Sequence, residues 1–287
     1  MKKLVLLSIV IMALAFHACD KIDGPYTVPV PAHSWNGKKI LLEDYTGHAC
    51  VNCPGAAKDA RDLEALYGNE IIVIAVHVST DFAAPTAQLP QEFRTATGND
   101  WDAKFGISPL GLPRGMINRQ GYPTSHVIND YAWSSKIATI ITQVPYMTIT
   151  FKDTLYTDAD STIKGNIDVK FTKLNNYNLK LSICITEDSI IGPQLNNPNP
   201  GGGGDPDLPA FVPNYVFMHL LRGSINGSWG TQITTGTVPN AVNSEIVTPY
   251  TYKVPKSSWN VKNCHIVAFV YDAVTYEVYQ AEQIKMY

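Results

Sequence analysis

Lys39-Ile40-Leu41-Leu42-Glu43-Asp44, followed by Thr46-Gly47-His48-Ala49-Cys50-Val51-Asn52-Cys53-Pro54, is the stretch on which the fold turns. Its first six residues are a short apolar run that closes on an acid before turn residues, the pattern of a buried strand. From Cys50 the period changes. Ala56, Ala57, Ala60, Leu63 and Leu66 recur at three- and four-residue spacing, which predicts a helix stopped at Gly68-Asn69. Ile71 to Val78 is a continuous β-branched run, as in a strand covered on both faces. Strand, helix and strand at this spacing make a βαβ crossover.

Outward from that unit, residues 82–105 read as short helices with a loop, and Arg114 to Arg119 as another strand, ended by Gln120-Gly121. Trp133, Ile137, Ile140 and Ile141 form the apolar stripe of a helix running to about Gln143. From Met147 onward the period is two. Ile163, Ile167, Val169 and Phe171 alternate with polar residues, as do Leu179, Leu181, Ile183 and Ile185. Further strands are expected at Tyr215–Leu221, Ile246–Val254, His265–Asp272 and Glu277–Ile284. Short strands with polar turns and no helical stripe predict an all-β immunoglobulin-like sandwich over residues 145–287, after an α/β domain over residues 37–144. Asn196 to Pro209, with Gly201–Gly204 inside, reads as a flexible loop carrying Asp205 and Asp207. It lacks the Lys-Ser/Thr and the following helix of a phosphate cradle. Asp158-Ala159-Asp160-Ser161 lacks the Gly and distal Glu of a calcium loop and reads as a turn.

The chain has five cysteines. A C-x-x-C spacing at Cys50 and Cys53 serves redox chemistry, a metal or a structural bridge. Zinc needs about four ligands. His48 is a third candidate, but no second C-x-x-C or H-x3-H follows, so neither metal nor cofactor is implied. At the junction of strand and helix, Cys50 would face unpaired backbone N–H groups and the positive end of the helix dipole, and both favour the thiolate. Comparable sites fall to a pKa of about 3.5–7 from about 8.5. Pro54 fits the first helical turn, where a missing N–H costs nothing. Cys184 and Cys264 fall in predicted strands, either bridged or as free, buried, inert thiols, and the alternation turns Cys184 to the polar face.

At the N-terminus, Lys2 and Lys3 precede 13 apolar residues, Leu4 to Phe16, and then His17-Ala18-Cys19-Asp20. That run is too short to span a bilayer, which needs about 20 residues, and has the length of a secretory signal. The small residue before Cys19 resembles the lipobox of bacterial lipoproteins, which implies a signal peptide at 1–18, lipidation at Cys19 and a tether over 19–36. Simple cleavage near Ala18 is the other reading. Across all 287 residues, 45% are hydrophobic, and there are 15 Tyr, 9 Phe and 5 Trp, which argues against a disordered chain. A pI near 6.1 and no Lys/Arg run argue against a nucleic-acid partner.

Three features in order resemble the thioredoxin fold over residues 39–121: Asp44 six residues before the first cysteine, the C-x-x-C opening a helix, and Leu112-Pro113 before a strand. The stretch Pro113 to Gly121 is similar to periplasmic thioredoxin-like proteins. The resemblance implies Cys50 as attacking thiol, Cys53 as resolving thiol, Asp44 as proton acceptor and Pro113 as a cis-proline facing the disulfide. On the residues alone, Asp44 as a surface strand end and Pro113 as an ordinary trans loop proline stay open as alternatives. Over nearly its full length the chain resembles the twenty-eight-kilodalton outer-membrane protein family of Bacteroidetes lipoproteins. Thr46 to Pro54, the block His219 to Gly230, and Val270-Tyr271-Asp272 leading into Gln280-Ala281-Glu282 carry that resemblance. On the residues alone the His219 block is a recognition surface or a strand with a Gly-rich turn. Together these imply a lipid-anchored outer-membrane protein that exchanges disulfides with an extracytoplasmic protein thiol or disulfide. The alternative is a non-catalytic binding or adhesion lipoprotein whose C-x-x-C is a structural bridge and whose partner is a surface ligand.

Overall fold

In the computed structural model, residues 35–255 and 258–287 are described; Cys19, the signal expectation and all of the tether but residues 35 and 36 lie outside them. The apolar run before the turn forms β1 (Ile40–Thr46), buried along its whole length. After the turn, α1 (Cys53–Tyr67) carries Pro54 in its first turn, buries Ala56, Ala60 and Leu63, and ends at Gly68 with φ +57°. The helix starts at Cys53, not at Cys50. Cys50 sits in the preceding turn, where its N–H donates to Gly47 O at 3.0 Å. Pro54 supplies the helical φ and has no N–H to lose, so it suits the first turn. β2 (Ile71–His77) runs parallel to β1, with Asp44 opposite Ala75. A short α2 (Thr80–Ala83) follows. Next comes α3 (Ala96–Phe105), capped by the Thr95 side chain on Gly98 N and closed by a left-handed Gly106. β3 (Arg114–Ile117) runs antiparallel to β1, and α4 (Trp133–Ile140) buries Trp133, Ile137 and Ile140.

The second half is β-rich: β4 (Met147–Thr157), β5 (Thr162–Phe171), β6 (Leu179–Glu187), β7 (Ile190–Leu195), β8 (Phe211–Phe217), β9 (Leu220–Ser224), β10 (Thr231–Gln232), β11 (Glu245–Lys253), β12 (Cys264–Asp272) and β13 (Val278–Lys285). The segment Tyr215–Leu221, expected as one strand, breaks at Met218-His219, where His219 adopts φ +55°. That break lets β9 leave the β7–β8 hairpin and pair elsewhere. Asp158–Ser161 is the turn between β4 and β5.

One sheet, ordered β13-β12-β6-β9-β2-β1-β3, runs through both halves, with β10 attached to β6. β9 is the join. It is antiparallel to β6 and meets β2 in parallel at Ala75 and Leu220. The hydrogen-bonded ladder therefore crosses position 144/145, where the periodicity changes. The fold is mostly β, with an α/β N-terminal region and a β-rich C-terminal region. A second sheet, β11-β5-β4, lays Ile149, Ile163, Ile167, Val169 and Phe171 against Leu181, Ile183, Ile266 and Ala268 of the large sheet.

The opposite face of β6 is covered too. Cys184 was expected on a polar face, yet it is fully buried in a cluster with Trp101, Phe105 and Phe269, because α3 packs over that side. Cys264 lies in the other cluster, with Ile266 and Ala268. The two thiols are free, on opposite sides of the sheet, so they do not bridge. Burial pushes the Cys184 thiol up to about 12, which leaves it protonated and inert. Arg119, also inside this core, donates two hydrogen bonds to Glu43 at 2.7 and 2.8 Å. Its guanidinium carbon lies 4.9 Å from the rings of Phe105 and Phe269, and 5.0 Å from that of Trp101. One paired cation thus ties the two halves together.

Candidate disulfide site

Cys50 and Cys53 form a disulfide, and each is only 2% exposed. The turn that presents them has no spare room. A Cβ on Gly47 would strike the Phe82 carbonyl oxygen, so only glycine lets Ala49 N–H reach Phe82 O at 2.9 Å. Cys53 opens α1, and a thiolate there would meet the free N–H groups of the first turn.

The other expected residues gather around this turn. The Leu112–Pro113 peptide is cis and Pro113 is buried. Tyr45 pairs with Arg114, so Pro113 stands one residue further along, beside Thr46 at the end of β1. Asp44 is 3% exposed, and its Oδ1 has no hydrogen-bond partner among the described residues. It is no surface strand end, because its neighbours Ala75 and Gly115 lie in the paired strands on either side. Burial pushes its carboxyl up to about 8. Asp130 raises it further, and His219 opposes both. Asp44 and Cys53 both line one cavity of about 40 Å³, which has room for a water molecule.

Two parts of the site escaped the sequence reading. The first is the segment Asn196–Pro209, expected as a flexible loop, which with the end of β7 (Gln194-Leu195) forms a strap tied across the C-x-x-C turn. Leu195 N–H donates to His48 O at 2.9 Å and Asn197 N–H to Val51 O at 2.7 Å, and the Gln194 side-chain amide reaches Cys50 O at 3.1 Å. Asn196 holds the strap's own shape, with its amide bonded to Asp205 O and Leu208 O at 2.9 Å. Asp205 is buried, and its carboxylate lies 3.7 Å from Arg61 of α1. Asn and Gly in such a run signal turns, but nothing local shows what the turns pack against.

The second is the electrostatic setting of the histidines, which the sequence offers only as a third metal-ligand candidate (His48) and as part of a recognition surface or strand (His219). The His219 block inserts into the α/β half, where His219 O accepts from Ala75 N–H at 2.9 Å. The ring places Nε2 3.0 Å from Glu64 and Nδ1 3.3 Å from Asp188. Burial alone would lower its pKa, but the carboxylates of Glu64, Asp188 and Asp44 outweigh that, and it is raised. His77, on the same cavity, is pulled down to about 3 by burial and then by His48, and so is neutral. His48 packs edge-on against Phe93 at 5.9 Å and faces His77 at 6.1 Å; burial lowers it as well.

Residues 99–286 match the family model described as outer membrane protein Omp28. HBP35 of Porphyromonas gingivalis has a similar structure, with a TM-score of 0.60 at 17% identity over 88% of this chain and 76% of that one. A protein of Agrobacterium tumefaciens gives a TM-score of 0.51 at 10% identity, over 88% of this chain and 97% of its own. At these identities the likeness is one of fold. A domain of the outer membrane lipoprotein Omp28 from Porphyromonas gingivalis is 26% identical over 50% of this chain and 90% of that one, with a TM-score of 0.30. No curated protein matches the sequence significantly. No helix among the described residues is long and apolar enough to cross a membrane. The matched interval holds Pro113 and the His219 block, while Asp44, Cys50 and Cys53 precede it. It spans well over half of the sequence, and the chain is therefore a member of the outer membrane protein Omp28 family and a protein of the outer membrane.

Proposed function

We propose that this protein exchanges disulfides with an extracytoplasmic protein partner, through a thioredoxin-like site at Cys50 and Cys53. One observation carries the reading: a buried acid with an unpartnered oxygen shares a cavity with Cys53. A purely structural bridge needs no such neighbour, and burying a carboxyl without a partner costs stability. In the exchange, a partner thiolate attacks Cys50 Sγ. The Cys50–Cys53 bond breaks, Cys53 leaves as a thiolate, and Asp44 gives it a proton. The partner's second thiolate then attacks its own sulfur in the mixed disulfide and releases the Cys50 thiolate. Two electrons pass to this chain and the partner becomes a disulfide. The reverse sequence oxidises the chain again. Pro113 would border the exchange site, and the strap would have to swing aside first.

The β-rich region is read here as an immunoglobulin-like sandwich that docks the partner. Strands β4, β5 and β11 share one sheet, and β6, β12 and β13 lie in the other, with the β7–β10 excursion between β6 and β11. Two antiparallel layers packed over one apolar core support a sandwich. The chain is anchored, on this reading, by acyl groups at Cys19, after removal of residues 1–18.

A second reading has support of its own. Both cysteines are 2% exposed beneath a hydrogen-bonded strap, as suits a permanent bridge in a surface-binding module. Expression of Cys53→Ser in cells separates the two. The exchange reading expects covalent mixed disulfides through Cys50, identified by mass spectrometry, and an alkylation pKa for Cys50 below about 7.5. A Cys50 value above about 8 with no trapped partner would leave the bridge as structure only.

A further inference from the structure

We infer that His219 is the positioning residue of the buried acid: delivered from the β-rich half of the chain, its imidazolium faces Asp44 across the cavity behind Cys53 and governs when that carboxyl gains or loses its proton. The inference rests on the exchange reading and adds a residue to it.

The geometry begins in the backbone. Ala75 is the strand partner of Asp44, and its N–H donates to the carbonyl of His219, so His219 stands one strand beyond the acid. Its backbone holds φ +55°, a region that a non-glycine residue enters at a cost. The His219 N–H donates to Asp188 Oδ1 at 2.7 Å, which clamps that conformation. Both ring nitrogens then face carboxylate oxygens, Glu64 at 3.0 Å and Asp188 at 3.3 Å. The Nε2 contact is a hydrogen bond, and Asp188 sets a second carboxylate beside Nδ1. Two carboxylates flanking one imidazole favour its charged form.

The groups facing it come from every element around the cavity. Glu64 and Arg61 project from α1, Asp44 from β1, His77 from β2 and the phenol of Tyr215 from β8. Asp188 comes from the β6–β7 turn, and its Oδ2 lies 3.4 Å from His265 Nδ1 on β12. Asp130 adds negative charge near Asp44. His77 is neutral, and Arg61 turns toward Asp205. His219 is thus the cation that Asp44 faces, and Asp188 and His265 extend the chain of titratable groups away from the cavity. Attraction between His219 and Asp44 pulls the acid's pKa down and the histidine's up, while burial works against both charges.

The test reads the Asp44 carboxyl directly, by carbon-13 NMR titration of the oxidised protein. In His219→Gln the Asp44 midpoint should rise by about one pH unit, since the opposing charge is gone. In Glu64→Gln, which keeps a hydrogen-bonding partner, the His219 midpoint should fall and that of Asp44 should rise. The second variant decides the matter should the first fail to fold. An Asp44 midpoint that stays in place when His219 is neutral overturns the inference. The titration needs no turnover, so an inert disulfide counts against the exchange reaction alone.

Discussion

Gly55, in the first turn of α1, lies so close to the carbonyl oxygen of Gly203 that no Cβ fits between them. This contact joins the helix that carries Cys53 to the strap that crosses the C-x-x-C turn. The strap's fit over the disulfide therefore depends on the absence of one methyl group. On the exchange reading, the same strap governs a partner's access to the disulfide.

Gly55→Ala should lift the strap. Alanine normally strengthens a helix over glycine by about 1 kcal/mol. Here the clash should reverse that sign and cost about 1–3 kcal/mol, read by chemical denaturation. Reduction of the Cys50–Cys53 bond by dithiothreitol should accelerate several-fold. Unchanged reduction kinetics would show that the strap does not govern access.

Asp44→Asn should trade reactivity for stability. The Asp44 carboxyl titrates near 8 in the folded chain against 3.8 ordinarily. The folded protein thus holds a proton that the unfolded chain releases. Its contribution is complete below about pH 4 and is lost as pH rises toward 8, amounting to several kcal/mol. Asparagine removes that dependence, so the variant should be the more stable protein at pH 8. Exchange with a dithiol should slow by about 100-fold. A variant that is stabilised with no loss of exchange would strip Asp44 of its proton-transfer role.

His77 acts in the opposite direction. Its folded value near 3 lies below the ordinary 6.5, so the unfolded chain takes the proton first. Stability from this residue is present above pH 6.5 and drains away as pH falls toward 3. His77→Phe, among Phe93 and Phe217 at ring distances of 5.2 and 5.5 Å, should keep the packing and drop the titration. At pH 5 it should gain about 2 kcal/mol relative to its effect at pH 7, measured by urea unfolding at both values.

Glu43→Gln should test how firmly the halves are joined. It strips Arg119 of its partner inside the aromatic cluster, and an uncompensated buried charge costs about 3–5 kcal/mol. Because one sheet runs through both halves, unfolding should remain a single transition, followed by fluorescence and far-UV circular dichroism together. Two separated transitions would contradict a shared core. Adding Arg119→Met to Glu43→Gln should recover part of the loss.

The local pattern alone determined the strand–helix–strand unit, the disulfide at the mouth of α1, the acid on β1 and the alternating strands of the second half. Each of these rests on residues a few positions apart, where period and turn chemistry act directly. What lies against those elements was decided only by the tertiary structure. Cys184 alternates with apolar neighbours and so looked outward, but α3 arrives from elsewhere in the chain to cover it. The glycine-rich run 196–209 looked free because the turn it crosses, where Asn197 meets Val51, lies about 150 positions earlier. His219 looked like a strand residue because Glu64 and Asp188 meet it only once β9 leaves its hairpin to join β2. A residue's own neighbours fix which way its side chain points, whereas the burial and charge it meets there come from chain that is distant in sequence and brought near by folding.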